Sequence, residues 1–283
     1  MMKSKMNLLI VSVLTIMISC APGTFYQVYK ANPTGQISNN ESSLSYEDEF
    51  CEISYNMWSD GGDIGFSFYN NTDKNIYLDL SKSFFVLNGT AFDYYKNRVF
   101  TESSSSGTTT TKTATASKAI SGFNSNDLLQ INRIQLSNGV GVISSSGSSV
   151  SYSEERVICI PSKTSKRIAE YSVNHSLYRD CDLFKYPTKK QINTKSFTKS
   201  ESPFVFSNRL SYTIENSDDK VKIENEFYIS EITNYPKNEI IESKTDKFCE
   251  QELMSSSEFF KLSAPNMFYI QYSKGQQDRK SVV

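Results

Sequence analysis

Short stretches of this chain alternate apolar and polar side chains with a period of two. Phe50-Cys51-Glu52-Ile53-Ser54-Tyr55-Asn56-Met57 is the plainest of them. That period sends neighbouring side chains to opposite faces of an extended backbone, so one face can be buried and the other wetted. Residues 64–69 and 76–80 continue the pattern, and 84–87 is an apolar run. Between them lie Ser59-Asp60-Gly61-Gly62-Asp63, then 70–75, then Asn88-Gly89, which carry the residues that tight turns need. The first of these reads as a hairpin turn. Seventeen Tyr and 18 Phe against one Trp supply the side chains that half-buried pleated surfaces favour. The expected fold class is all-β with minor α: an antiparallel β-sandwich carrying a long insertion.

Further along, 91–100 is another strand. The rhythm then breaks over 101–155, where serine and threonine runs flank Leu128, Leu129, Ile131, Ile134 and Leu136. This reads as a low-complexity insertion holding one or two helical turns, with Asp127 near their start. Strands resume at 156–160 and 166–173. Residues 174–202 are irregular and basic, a solvated face. Segments 204–206, 210–214, 221–223 and 227–229 read as strands, 247–262 as a helix, 267–272 as a final strand, and 273–283 as a polar tail. The expected organisation is a sandwich domain over 46–175, with a β-rich C-terminal extension over 176–283 packed on it or continuing it. The succession over 66–88 resembles the start of immunoglobulin-like domains in bacterial envelope proteins. That resemblance implies an immunoglobulin-like sandwich and no particular function.

The N-terminus carries an address. Lys3 and Lys5 precede an apolar run over 8–18. A membrane-spanning helix needs ~20 apolar residues, so this run has the length of a signal-peptide core instead. It ends in Met17-Ile18-Ser19-Cys20, which resembles the lipobox of bacterial lipoproteins. The resemblance implies removal of residues 1–19 and lipidation of Cys20, with acyl chains such as palmitate. Residues 20–45, with Pro22, Gly23, Pro33 and Gly35, then read as a flexible tether. No aspartate follows Cys20, and no acidic run. By the same resemblance the protein belongs to the outer membrane, facing the periplasm.

Charge and motifs narrow the function classes. Losing Lys3 and Lys5 leaves 28 basic against 31 acidic side chains, a mature charge of −3. With no basic run of five, this is not a nucleic-acid binder's balance. Cys51, Cys159, Cys181 and Cys249 remain after Cys20. An even count in an oxidising envelope allows disulfides in three pairings, and buried free thiols are the other reading. No Cys-x-x-Cys, phosphate loop or nucleophile elbow occurs. His175 is the single histidine and sits at a strand end, as an exposed loop residue. Asp60 and Asp63 belong to a turn more than to a calcium loop. Tyr46-Glu47-Asp48-Glu49 is a solvated acidic edge. No catalytic, cofactor or metal residue emerges. The expected role is a non-enzymatic binding or scaffolding module for envelope proteins. Glycan binding is the alternative, through Tyr94-Tyr95, Phe84-Phe85, Phe259-Phe260 or Tyr269 and Tyr272, and an unrecognised hydrolase the last.

Overall fold

The alternating segments are strands. In a computed structural model that describes residues 23–40, 42–105, 147–217, 219–249 and 251–275, nearly every element is extended. The first strands are β1 (Thr24–Pro33), β2 (Ser38–Asn40), β3 (Ser43–Glu47), β4 (Cys51–Tyr55) and β5 (Phe66–Asn70). Next come β6 (Ile76–Asp79), β7 (Phe84–Leu87), β8 (Thr90–Asp93), β9 (Val99–Ser105) and β10 (Gly147–Ser153). Then follow β11 (Val157–Ile160), β12 (Ser165–Ile168), β13 (Thr194–Ser196), β14 (Val205–Ile214) and β15 (Lys220–Pro236). A single helical turn, α1 (Lys237–Ile240), leads to β16 (Ile241–Phe248), β17 (Gln251–Phe260) and β18 (Met267–Ser273).

Two antiparallel sheets stack on one another. The larger runs β11-β6-β14-β15-β1-β18, with β7 and β8 extending the β14 edge and β13 pairing with β15. The smaller runs β12-β5-β4-β3-β2. Their facing side chains form one core. Cys51, Ile53, Tyr55, Phe66 and Phe68 of the small sheet meet Ile76, Leu78, Tyr212, Phe227 and Ile229 of the large one. Tyr55 packs edge-on against Phe227 at 5.2 Å, and Phe68 against Tyr212 at 5.4 Å. The fold is thus the expected antiparallel sandwich. Strands from both halves of the chain interleave in the larger sheet, so 176–283 continues the sandwich, and no boundary falls at 175.

Three expectations need correction. Residues 24–33 are no tether: β1 lies between β15 and β18 and pairs with β15 from Phe25 to Pro33, with a register shift between Lys30 and Ala31. Its burial is continuous from Tyr26 to Tyr29, because both faces are covered, and that hides the period of two. The expected helix over 247–262 is instead the ribbon β16–β17, with Ile241 opposite Phe260 and Lys244 opposite Ser257. Serines at 255–257 favour extended backbone over a helix interior. The Asp60-Gly61-Gly62-Asp63 stretch closes no tight hairpin. β4 and β5 do pair, Tyr55 opposite Phe66, but residues 56–65 leave them to meet β18. Asn88-Gly89 does make the two-residue turn its sequence signals, with φ of 48° and 81°.

The insertion leaves the domain as the ribbon β9–β10. Residues 106–146, including Asp127 and the leucines around it, lie outside the described residues, as do residues 1–22 with Cys20. The four other cysteines are free thiols: Cys51 is buried, Cys159 half-buried, and Cys181 and Cys249 are exposed. No two of Cys51, Cys159, Cys181 and Cys249 are bonded in this structure, and only Cys51 is buried.

Candidate functional site

β1 is covered on both sides, and each cover is built differently. On its inner side Gln27 and Tyr29 lie beneath the irregular segment 174–186, and Tyr29 also joins the core between the sheets. The Gln27 amide donates to the Tyr178 carbonyl and to Asn234 Oδ1, each at 2.9 Å, and accepts from the Tyr178 N–H at 2.7 Å. Asn234 donates to the Phe184 carbonyl at 2.9 Å, and the Tyr272 hydroxyl donates to the Lys185 carbonyl. The sheet thus satisfies the backbone of a loop that has no strand partners of its own. Burial pushes the Tyr29 hydroxyl well above its ordinary pKa, so it remains a neutral donor.

On the outer side four aromatic rings from four separate segments meet. Trp58, from the loop after β4, packs edge-on to Phe260 at 4.9 Å and against Tyr269 at 5.2 Å. Phe260 and Tyr269 lie 4.7 Å apart, and Tyr26 stands edge-on to Phe260 at 5.5 Å. Ile240 is fully buried beneath them. Trp58 is half-buried, so one part of its indole is wet. The exposed carboxylate of Asp60 lies close enough, after burial, to help raise the pKa of both Tyr26 and Tyr269. The site offers aromatic faces, two phenol groups and a carboxylate at one rim.

The ribbon β16–β17 rises from this cluster. It belongs to neither sheet. Met254 is fully exposed, Phe259 is 46% exposed and Leu262, just beyond the ribbon, 41%. A register shift between Thr245 and Lys247 interrupts the pairing partway along.

The residues singled out by sequence fall elsewhere. His175 is exposed, over Gly61. Asp63 accepts from the Gly65 N–H and pairs with Arg167 at 2.7 Å, so its carboxylate is spent on structure. Asp48 caps the turn into β4 by accepting from the Phe50 and Cys51 N–H groups, both at 2.8 Å. Burial and the Asp48 carboxylate push the neighbouring Tyr46 up to about 12. Burial raises the Cys51 thiol too, which keeps it protonated and inert. In three of the four aromatic pairs one ring is buried and its neighbour less so: Tyr94 against Tyr95, Phe85 against Phe84, Tyr272 against Tyr269; in the fourth, Phe259 is exposed and Phe260 half-buried. Phe92, 40% exposed, makes a second, smaller patch with Phe85 and Tyr171. Among the described residues no three His, Cys, Asp or Glu side chains gather at metal-binding distance.

Tyr26 and Trp58 escaped the sequence reading. The run Tyr26-Gln27-Val28-Tyr29 carried the one available signal, four bulky side chains within a supposed linker. No helix among the described residues is long and apolar enough to cross a membrane. No protein-family model, curated protein or solved structure matches the chain.

Proposed function

We propose that this chain is a lipid-anchored envelope protein, held through Cys20 in the outer membrane and facing the periplasm, that acts as a non-enzymatic binding module for other envelope proteins. The observation that carries the binding role is the ribbon β16–β17 with its aromatic base. A two-stranded ribbon standing alone is marginal in water. Exposed Met254 and Phe259 are the residue types that interface centres enrich, and their burial would be gained on contact with a partner. The Tyr, Phe and Trp cluster fixes the ribbon's root, so the binding edge is held at a defined place.

The test is photo-cross-linking in intact cells from Phe259, with the adducts identified by mass spectrometry. The proposal expects one or a few envelope proteins, lost on Met254→Asp. A purified full chain that turns over a substrate, with turnover abolished by one substitution, would overturn it. Trp58 gives the glycan reading its own support, because a half-exposed indole beside a carboxylate is how proteins stack and orient a sugar ring. On that reading a glycan array gives a hit that Trp58→Ala removes.

A further inference from the structure

The position of β1 changes what the anchor does. If 20–45 were a tether, the domain would wander far from the bilayer. Instead β1 begins at Thr24, and the Gly23 carbonyl already accepts from the Lys274 N–H at 3.1 Å. Two residues therefore separate Cys20 from Gly23, at most ~11 Å of extended chain from one to the other.

The end of the sandwich from which that chain leaves has its own chemistry. Register places Phe25 between Pro236 and Tyr272, and Thr24 beside Ser273. Tyr186 packs on Phe25 at 5.2 Å, and the Lys185 ammonium lies over the Tyr186 ring. Phe184, in the same loop, is 56% exposed. Around these rings stand Lys189, Lys237, Lys261 and Lys274. Lys189 pairs with Glu239 at 3.2 Å and Lys237 with Glu258 at 2.6 Å, while Lys261 reaches the Asn238 carbonyl. With Lys185 these lysines number five against Glu239, Glu258 and the nearby Asp60, a positive excess in a mature chain whose overall charge is negative.

We infer that this end of the sandwich rests directly on a phospholipid surface bearing anionic headgroups, with Phe184 and the lysines as its contacts. The inference rests on Cys20 being the anchor. Aromatic rings belong at the headgroup level, and lysines are drawn to an anionic surface. A short tether turns those weak terms into an intramolecular contact at high effective concentration. β15 runs the other way for 17 residues, so the turn at Asn216 stands about 50 Å from the membrane. The root of β16–β17, next to α1, sits at the membrane end.

The experiment uses the full chain in its own cells, with a photoreactive benzoylphenylalanine placed at Phe184, at Lys274 or, at the far end, at Asp219. Palmitate labelling of Cys20 is read in each. Phospholipid adducts should form from 184 and 274 and be at least about tenfold weaker from 219. The Lys189→Glu, Lys237→Glu, Lys274→Glu variant should cut the adduct from 184 at least about fivefold while Cys20 stays labelled and Trp58 emission is unchanged. Labelled Cys20 with adducts equal at all three positions, absent from all, or to protein alone, overturns the docking and leaves the anchor standing. An unlabelled Cys20 overturns both.

Discussion

Gly62 shows how little room the outer loop has. Its φ is +77°, and a Cβ there would lie 2.8 Å from the Phe268 ring, which is fully buried. Gly35 has the same φ but open space around it. Both positions charge an alanine the left-handed penalty of about 1–2 kcal/mol, and only Gly62 adds a clash with a ring that cannot move. Gly62→Ala should therefore lose about 3 kcal/mol or more in urea unfolding and Gly35→Ala about 1 kcal/mol. Equal losses would mean that the Gly62–Phe268 contact is not tight. Neither glycine's sequence context separates them, since the distinction is made by a phenylalanine some 200 residues away in the chain. The same holds for the core pair Asn208 and Asn225, opposite one another across β14 and β15 and both buried. They are tolerated because Tyr94 donates to Asn208 at 2.6 Å and Asn225 donates to Tyr55 at 2.7 Å. Asn225 Oδ1 finds no partner among the described residues.

The elements divide by how many of their faces are covered. β4, β5 and β6 each bury one face, so their alternation could be read directly from residues 51–55, 66–70 and 76–79. β1 buries two, so its signal was lost among prolines and glycines. Among its described side chains β16–β17 buries almost none, and the scattered Phe248, Leu253 and Phe259 of its sequence imitated helical spacing. The aromatic site was illegible for a different reason: it draws single residues from 26, 58, 260 and 269, which only the topology brings together. Two ribbons leave the sandwich, and each is tied at its root. At β16–β17 the tie is Phe260. Phe260→Ala should red-shift the emission of Trp58, the single tryptophan, and raise its quenching by iodide, with the main unfolding transition kept. At β9–β10 the tie is ionic. Arg98 holds Glu154 through two donors and reaches Glu170 at 2.8 Å, while Lys96 pairs with Glu170 at 2.9 Å and lies over the Tyr171 ring. Burial pulls the Glu154 carboxyl upward. The hydrogen bonds from Arg98 and from the Lys96 backbone outweigh it and hold the pKa below the usual carboxylate value. A depressed carboxylate stabilises the fold above its unfolded pKa, and that share is lost as pH falls through the folded one. Glu154→Gln should thus cost about 1–3 kcal/mol at neutral pH and flatten the acid limb of the stability curve below pH ~4.5. An acid limb unchanged by the substitution would show that the ion pair contributes nothing.

At the scale of the whole molecule the consequence of β1 is largest. It completes the large sheet, and the other edge of its neighbour β18 is closed by the 59–61 loop, where the Gly61 N–H donates to the Tyr269 carbonyl at 2.8 Å. Removing residues 24–33 would leave β15 and β18 with bare edges and empty the inner and outer covers together. Such a deletion should abolish the cooperative unfolding transition, whereas a true tether could be cut without moving it. In the proposal made above, a lipid on Cys20 would hold the domain close to the bilayer, with its aromatic and basic end toward the membrane and the root of the β16–β17 ribbon beside it. All of this depends on the chemistry of one side chain. The most direct measurement is the intact mass of the N-terminal peptide from protein extracted with detergent from its own cells. The account expects a chain that starts at Cys20 and carries the added mass of its acyl chains. A mature N-terminus at any other residue, or an unmodified Cys20, would contradict it.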